Sequence, residues 1–462
     1  MNRPGQLAIV LHTHMPYVEG GASWPPSDYD AFLRHPEGFG TWPFGEEWLW
    51  EAIATCYLPL LDVLGHAPVT LSLTPVLCDQ LEAPGAIERC VRFLRELRRE
   101  SHRLDIEELR DQPLLVAELE RSAAEYAAAA AELESLELLR ALGEHASWTS
   151  AATHAVLPLL ASDRGIALQV QTGIASHRRR FGSWGGGFWL PECAYAPWLD
   201  RSLEEAGVRH TCVELPGPDL RPLRTDEGPV LWPIDRRTID LVWSPEGYPA
   251  DGAYRDTHRL TPRHHRLWAN DGGAYDHDRA LGRARDHARA FVEQVRARIE
   301  RGGVCVCALD TELLGHWWYE GIDWLRAVLD EAARQGLSLT TLDDAFERNE
   351  PAPMPSGLRV STWGEGRDLR TWSGPPVADV AWRARTAELR LLANERAPSP
   401  RAVRELLALQ ASDWAFLAYR GTAGDYPRQR FEGHLEAFER ALAGDGETAL
   451  RNLAPDLTGW QG

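Results

Sequence analysis

Three short apolar runs in this chain each stop at a residue that can do chemistry. Leu7-Ala-Ile-Val-Leu11 ends in His12-Thr-His14, Gly187-Phe-Trp-Leu190 runs into Pro191-Glu192, and Val304–Leu309 ends in Asp310. Such runs, bounded by turn or polar residues, read as strands buried on both faces. Val69–Leu73, Val208–Val213 and Asp240–Trp243 are further strand candidates. Helical patterns separate them. Glu46–Leu64 is one. Another is Asp276–Arg301, whose Leu281, Ala284, Ala288, Phe291, Val292, Val295 and Ile299 keep helical spacing before Gly302-Gly303 stops it. Strands alternating with helices predict an α/β fold with a parallel sheet. In an α/β barrel the active site forms where the strands end. His12, Glu192 and Asp310 all stand there. The number of strands does not follow from the pattern.

Residues 85–145 are mostly helical, with Ala127–Ala131 typical of a helix interior. They read as an insertion. Pro351, Pro353 and Pro355 mark a linker, and the chain beyond is helical to about Leu450. The expected division is therefore a catalytic unit over 1–350 and a C-terminal helical domain over 351–462.

Composition narrows the chemistry. There is no lysine, so every basic side chain except histidine is arginine. Schiff-base catalysis, pyridoxal phosphate, a P-loop and carbamylated-lysine metal bridges are thereby removed. The formal charge of −19 disfavours nucleic acid and anionic lipid but not a neutral sugar. No run approaches the ~20 apolar residues of a membrane span, and the apolar run at Leu7–Leu11 is too short for a signal-peptide core. Seven scattered cysteines without a CxxC pair suggest neither a disulfide framework nor a zinc ribbon. A cytoplasmic location is expected. Tryptophan, at 19 copies, outnumbers tyrosine and phenylalanine. Most tryptophans pack cores. Beside carboxylates, however, an indole offers a flat platform for a sugar ring.

Four segments could carry chemistry. In Trp189-Leu-Pro-Glu-Cys-Ala-Tyr195, Glu192 suits a nucleophile under a sugar ring, or simply an acidic residue at a helix N-terminus. Asp310 precedes Trp317-Trp-Tyr319. Apolar surroundings would keep its carboxyl protonated, as a general acid requires; a solvated loop aspartate is the plain alternative. His12 and His14, two apart on a strand, point to one side. They could bind a metal, or could hydrogen-bond sugar hydroxyls and a carboxylate. The missing lysine and the lack of further ligand spacing argue against the metal. His154, among apolar residues, could be a core residue or a ligand. Trp363-Gly-Glu-Gly and Ser412-Asp-Trp414 add aromatic and acidic groups from the C-terminal part.

Together these segments resemble glycoside hydrolase family 57, most of all its 1,4-α-glucan branching members. The matching stretches are His-Thr-His-Met-Pro-Tyr (12–17), Trp-Pro-Phe-Gly-Glu-Glu-Trp (42–48), Ala-Thr-His (152–154), Trp-Leu-Pro-Glu-Cys-Ala-Tyr (189–195), Val-Trp-Ser-Pro-Glu-Gly-Tyr-Pro (242–249), Asp-Thr-Glu-Leu-Leu-Gly-His-Trp-Trp-Tyr-Glu-Gly (310–321), Ser-Thr-Trp-Gly-Glu-Gly (361–366) and Ala-Ser-Asp-Trp-Ala-Phe (411–416). They recur in family order over nearly the whole chain. The resemblance implies a distorted (β/α)7 barrel with a helical insertion and a C-terminal α-helical domain. It implies retaining cleavage of α-1,4-glucan without metal or organic cofactor, with Glu192 as nucleophile and Asp310 as acid/base. His12, His14, Trp42 and His154 would line the donor side. Arg266 and Trp317 would contact substrate, and Trp363, Asp413 and Trp414 would come from the C-terminal part. The two carboxyls would stand ~5–5.5 Å apart.

Two departures bear on the fate of the glycosyl-enzyme. Residues 19–40 are an extra stretch. The segment between Pro216 and Val242 is short where branching members carry a loop with a tyrosine tip, and no tyrosine lies between Tyr195 and Tyr248. Hydrolysis or 4-α-glucan transfer therefore stand beside branching. A zinc hydrolase of amidohydrolase type and a catalytically dead glucan-binding protein are more distant readings.

Overall fold

The computed structural model describes residues 5–18, 45–65, 67–215, 220–356, 359–394, 398–444, 450 and 452–458. Nine strands lie among them: β1 (Gln6–Thr13), β2 (Val69–Leu73), β3 (Ala146–Ser150), β4 (Phe188–Trp189), β5 (His210–Val213), β6 (Leu223–Arg224), β7 (Val230–Pro233), β8 (Val304–Asp310) and β9 (Ala352–Pro353). One sheet has the order β4-β3-β2-β1-β8, all parallel. A bridge between Gly187 and His210 continues it to β5, which pairs in parallel with β7. Just past β7 the Asp235 N–H donates to the Val306 carbonyl of β8 at 2.8 Å. Seven parallel strands therefore curl round in the order β7-β5-β4-β3-β2-β1-β8, and β7 comes back against β8. This is the irregular seven-stranded barrel that the motifs imply.

Burial on both faces explains the strand sequences. All five residues of β2 and seven of the eight in β1 are buried; β1 is accordingly apolar without a break over Leu7–Leu11, while β2 admits only the small hydroxyls of Thr70 and Ser72 between its apolar residues. The expected strand at Asp240–Trp243 is instead the end of a helix, Arg236–Trp243. Asp235 caps it by accepting from the Thr238 N–H at 3.0 Å, and Ile239 and Val242 share its buried side. The expected linker prolines also do structural work. Ala352–Pro353 pairs in parallel with β6, at the end of the order β5-β7-β6-β9. A proline fits there because an edge position can spare the N–H.

The insertion between β2 and β3 is helical, with Pro113–Leu133 its longest element. The helical stretch Glu46–Leu64 contains a π turn over Ile53–Tyr57. The Cys56 thiol reaches the Thr311 carbonyl at 3.2 Å, and the Tyr57 hydroxyl reaches Glu312 at 2.7 Å. The extra residue of a π turn is often found where a helix must aim side chains at a site.

Past β9 the chain is helical: Ala378–Leu392, Pro400–Leu409, Ser412–Arg420 and Tyr426–Ala443 enclose a core of Trp372, Leu406, Trp414, Phe431 and Phe438. Tyr17 and Ala194 belong to that same core. Arg430 donates to the Tyr17 carbonyl at 2.7 Å, and the Ser412 N–H donates to the His154 carbonyl at 3.2 Å. No helix among the described residues is long and apolar enough to cross a membrane. The seven cysteines are free and buried.

Candidate active site

Strand register brings the first groups together. His12 in β1 lies opposite Ser72 of β2 on one side and Asp310 of β8 on the other. Two strands further on, Trp189 of β4 lies opposite Ser150 of β3. The chain then turns sharply, and Glu192 takes left-handed backbone angles of φ 63° and ψ 23°. His154 and Cys193 are left-handed too, at φ 58° and 48°. A non-glycine residue held there costs energy, so the surrounding contacts must impose it, and such residues gather at functional sites. Here the turn carries the Glu192 carboxyl under the C-terminal helices. The Trp363 N–H locks it by donating to the Glu192 carbonyl at 3.1 Å.

The Glu192 carboxylate is gripped at both oxygens. The Trp363 indole N–H donates to Oε2 at 2.9 Å, and the Ser412 hydroxyl donates to Oε1 at 2.8 Å. Ser412 has a single proton, so its 2.9 Å contact with His154 must be a bond accepted from Nδ1–H. A neutral His154 then carries no proton on Nε2, and it accepts from His12 Nε2–H at 2.9 Å. His12 Nδ1 in turn accepts from the Ser72 hydroxyl at 3.3 Å. The direction of the whole chain is fixed: Ser72 to His12 to His154 to Ser412 to Glu192. Both histidines must be neutral for this. Burial provides that by pushing their pKa values well below the ordinary histidine value, and the neighbouring histidines push the same way. His12 is also stacked on Trp189, with ring centroids 4.5 Å apart and 13° between planes.

His14 behaves differently. Burial alone would lower its pKa, but Asp413, by charge and by a 3.0 Å hydrogen bond to Nε2, raises it above the ordinary value. Glu312 and Glu192 act in the same direction. The ring lies 4.0 Å from that of His154. Two imidazoles whose pKa values are pushed down and one whose pKa is raised thus line one wall.

The two carboxyls of interest differ in their partners. Burial raises Glu192 above the ordinary carboxylate value and the charge of Asp413 adds to this, while the Trp363 and Ser412 hydrogen bonds and the charge of His14 oppose the rise. Asp310 accepts no hydrogen bond from any side chain among the described residues. Burial pushes it well above the usual carboxylate range, and the charges of Glu312, Glu192 and Asp413 add to the shift. A carboxyl favoured as the acid therefore stands opposite one whose ionised form is solvated by the protein. Glu312, buried and holding the Tyr57 hydroxyl and the His14 N–H at 2.7 and 3.0 Å, is pushed up by burial to about 7.

His12, His14, His154, Glu192, Asp310, Trp363 and Asp413 are thus brought to one place. Trp42 lies outside the described residues. Trp414 is fully buried and its indole N–H donates to the Ala408 carbonyl at 2.8 Å, so it underpins the helix bearing Ser412 and Asp413 and shows no face to a ligand. Arg266 and Trp317 both line a separate cavity whose walls include none of these seven. Ser72, Ser412 and Glu312 carry direct contacts that the sequence did not assign them. For Ser412 a signal existed, since it adjoins Asp413 in a matched motif.

A polarised pair of buried carboxyls at the C-terminal face of a parallel barrel, walled by histidines and indoles, has the groups that glycosidic-bond cleavage requires. The chain belongs to glycosyl hydrolase family 57, whose model matches residues 8–356. A second model, "1,4-alpha-glucan branching enzyme, C-terminal", matches residues 385–451. The chain is 33% identical to a "Probable 1,4-alpha-glucan branching enzyme" of Mycobacterium tuberculosis, over 99% of this chain and 95% of that one. It is 30% identical to a 1,4-alpha-glucan branching enzyme of Thermococcus kodakarensis, over 94% and 73% of the two chains. Its fold superposes on the crystal structure of a family 57 branching enzyme from Pyrococcus horikoshii with a TM-score of 0.84, 29% identity, and coverage of 95% and 89%.

Proposed function

We propose that the protein is a 1,4-α-glucan branching enzyme in which Glu192 is the nucleophile and Asp310 the general acid and base. The observation that carries the roles is the contrast between the two carboxyls: Glu192 accepts from Trp363 and Ser412, whereas Asp310 has no donor among the described residues. Asp310 gives its proton to the glycosidic oxygen while a Glu192 oxygen bonds to the anomeric carbon, and the C1–O4 bond breaks. The released chain leaves with a new 4-hydroxyl. Ionised Asp310 then takes the proton of an incoming 6-hydroxyl, whose oxygen attacks the anomeric carbon and frees Glu192. Two inversions give net retention. The division into a catalytic unit over 1–350 and a C-terminal helical domain over 351–462 fits this reading, because the latter supplies Trp363, Ser412 and Asp413.

Hydrolysis is the second reading, and one feature favours it. Between Leu220 and Trp243 the chain is largely spent on β6, β7 and the helix Arg236–Trp243, leaving little to cover the acceptor side. Water exclusion decides between transfer and hydrolysis. Incubation with amylose, counting α-1,6 linkages against new reducing ends, separates the two. New branches in excess of reducing ends support branching; reducing ends without branches remove it.

A further inference from the structure

The segments that carry His154 and Ser412 come from different parts of the chain, and a second row of buried polar side chains stitches them together. Residues 152–155 follow β3, and residues 410–411 join the helices Pro400–Leu409 and Ser412–Arg420. Ala155 bridges to Ala411. Beside them lies Gln169, fully buried on the helix Asp163–Phe181. Its main-chain carbonyl accepts from the Ala152 N–H at 2.9 Å, and its side-chain Oε1 accepts from the Thr153 N–H at 3.1 Å. Its Nε2 donates to Gln410 Oε1 at 3.1 Å, and Gln410 Nε2 donates to Glu388 Oε2 at 3.0 Å.

Both ends of this row fix its direction. The Thr153 N–H can only donate, so the Gln169 atom it meets is the amide oxygen. The Gln169 nitrogen then faces Gln410, whose oxygen must meet it, and the Gln410 nitrogen is left for Glu388. Glu388 agrees, because its Oε2 also accepts from the Ala161 N–H at 2.9 Å and its Oε1 accepts from the Ser162 hydroxyl. Neither amide can turn over without setting two donors or two acceptors face to face. A buried network satisfied in this way holds its members in one arrangement.

Glu388 is the unusual member. It is fully buried on the helix Ala378–Leu392, with no arginine or histidine within ion-pair distance among the described residues. A buried charge without a counter-ion is costly unless donors satisfy it, and here three do. The fold also makes room for it: a Cβ on Gly165 would overlap the Glu388 carboxylate. The row so anchored ends at the residue before His154, whose φ of 58° must be imposed by its surroundings. The bond from His154 Nδ1 to Ser412 crosses between the same two segments. A slip between them would misalign it, and hydrogen bonds weaken steeply with misalignment.

We propose that Gln410, held by Glu388 and facing Gln169, is a positioning residue for the nucleophile: it keeps Ser412 in register with His154, and so keeps the Ser412 hydroxyl on Glu192, without touching substrate. The inference rests on the reading of Glu192 as nucleophile.

Steady-state kinetics of the full chain on amylose test it, with branches and reducing ends counted together so that the fate of the glycosyl-enzyme does not enter. Gln410→Leu should lower kcat about tenfold or more with KM within about twofold of the parent. The acid limb of its kcat/KM profile should move to higher pH, because Glu192 loses the Ser412 donor. In a Ser412→Ala background the same change should lower kcat little further, since its effect passes through Ser412. Glu388→Gln can still accept from Gln410 and Ala161 and can donate to Ser162, so its kcat should stay within about threefold of the parent, whereas Glu388→Leu should match Gln410→Leu. A lower Tm with unchanged kcat and pH profile makes the row structural and overturns the proposal, as does a kcat loss that adds in full to that of Ser412→Ala. If Gln410→Leu does not fold, Gly165→Ala, which crowds the carboxylate without removing a polar group, must reproduce the kcat loss and the shifted limb; parent-like values there overturn the proposal. Turnover retained by Glu192→Gln would remove the nucleophile reading instead. An inactive Glu192→Gln beside a parent-like Gln410→Leu removes this inference alone.

Discussion

The Ser412 hydroxyl and the Glu192 carboxylate stand 2.8 Å apart, with Ser412 donating. Because that proton is committed, the tautomers of His154 and His12 behind it are committed as well, back to Ser72. A hydroxyl from the C-terminal helices thus joins a relay that begins on β2 and ends on the proposed nucleophile.

Ser412→Ala should therefore damage turnover more than folding. It removes a hydrogen bond to a charged group and leaves His154 Nδ1–H without its acceptor. A bond of this kind contributes about 1.5–3 kcal/mol, so kcat should fall by roughly 10- to 100-fold with KM little changed. Steady-state kinetics on amylose check this, with Tm as the control. An unchanged kcat would show that the relay is ornamental.

Trp363→Phe keeps an aromatic ring but loses the indole N–H. That bond is the foremost of the influences holding the Glu192 pKa down against burial. Its loss should raise the pKa, so the acid limb of the kcat/KM profile should move to higher pH. The alkaline limb, assigned to Asp310, should stay in place. A shift confined to the alkaline limb would reverse the two roles.

Asp310 also leaves a mark on stability. Its folded pKa is raised, so between the ordinary carboxyl value near ~4 and the folded value the native state binds more protons than the unfolded chain. Stability from this group is then lost as pH rises through that window. Asp310→Asn cannot ionise, so its Tm should exceed that of the parent by an increasing margin toward neutral and alkaline pH. Thermal melts across pH 4 to 9 read the difference; a constant offset would show that the carboxyl is not held neutral.

Trp414 should act through folding alone. Truncating a fully buried indole costs about 3–5 kcal/mol. Trp414→Ala should lower Tm by several degrees or more and leave the KM of the remaining folded enzyme near the parent value. A large KM change at unaltered Tm would return Trp414 to the substrate site.

The groups on strand ends were legible where the buried strand before them is an unbroken apolar run, so that the first ionisable residue stands out: His12 after Leu7–Leu11, Glu192 after Phe188–Leu190 and Asp310 after Val304–Leu309. The partners of these groups were not legible. Ser412 and Trp363 lie 220 and 171 residues from Glu192 and meet it only through the packing of C-terminal helices on the barrel. Local pattern failed where it was too short. Leu241-Val-Trp243 is a run of only three apolar residues, which a strand and a helix share, and the Asp235 cap and the pair Ile239 and Val242 belong to a helix. Trp414 sits in a matched motif beside Asp413, yet adjacent helical residues point in different directions, and only Asp413 reaches His14.

The assignment of Glu192 as nucleophile is tested most directly by trapping the glycosyl-enzyme. Asp310→Ala, given α-maltosyl fluoride, can still be glycosylated because fluoride needs no proton to leave, but it lacks the base for release. Mass spectrometry of the quenched digest should find a maltosyl adduct on the peptide bearing Glu192. An adduct on the peptide bearing Glu312, or labelling that survives Glu192→Gln, would contradict the account.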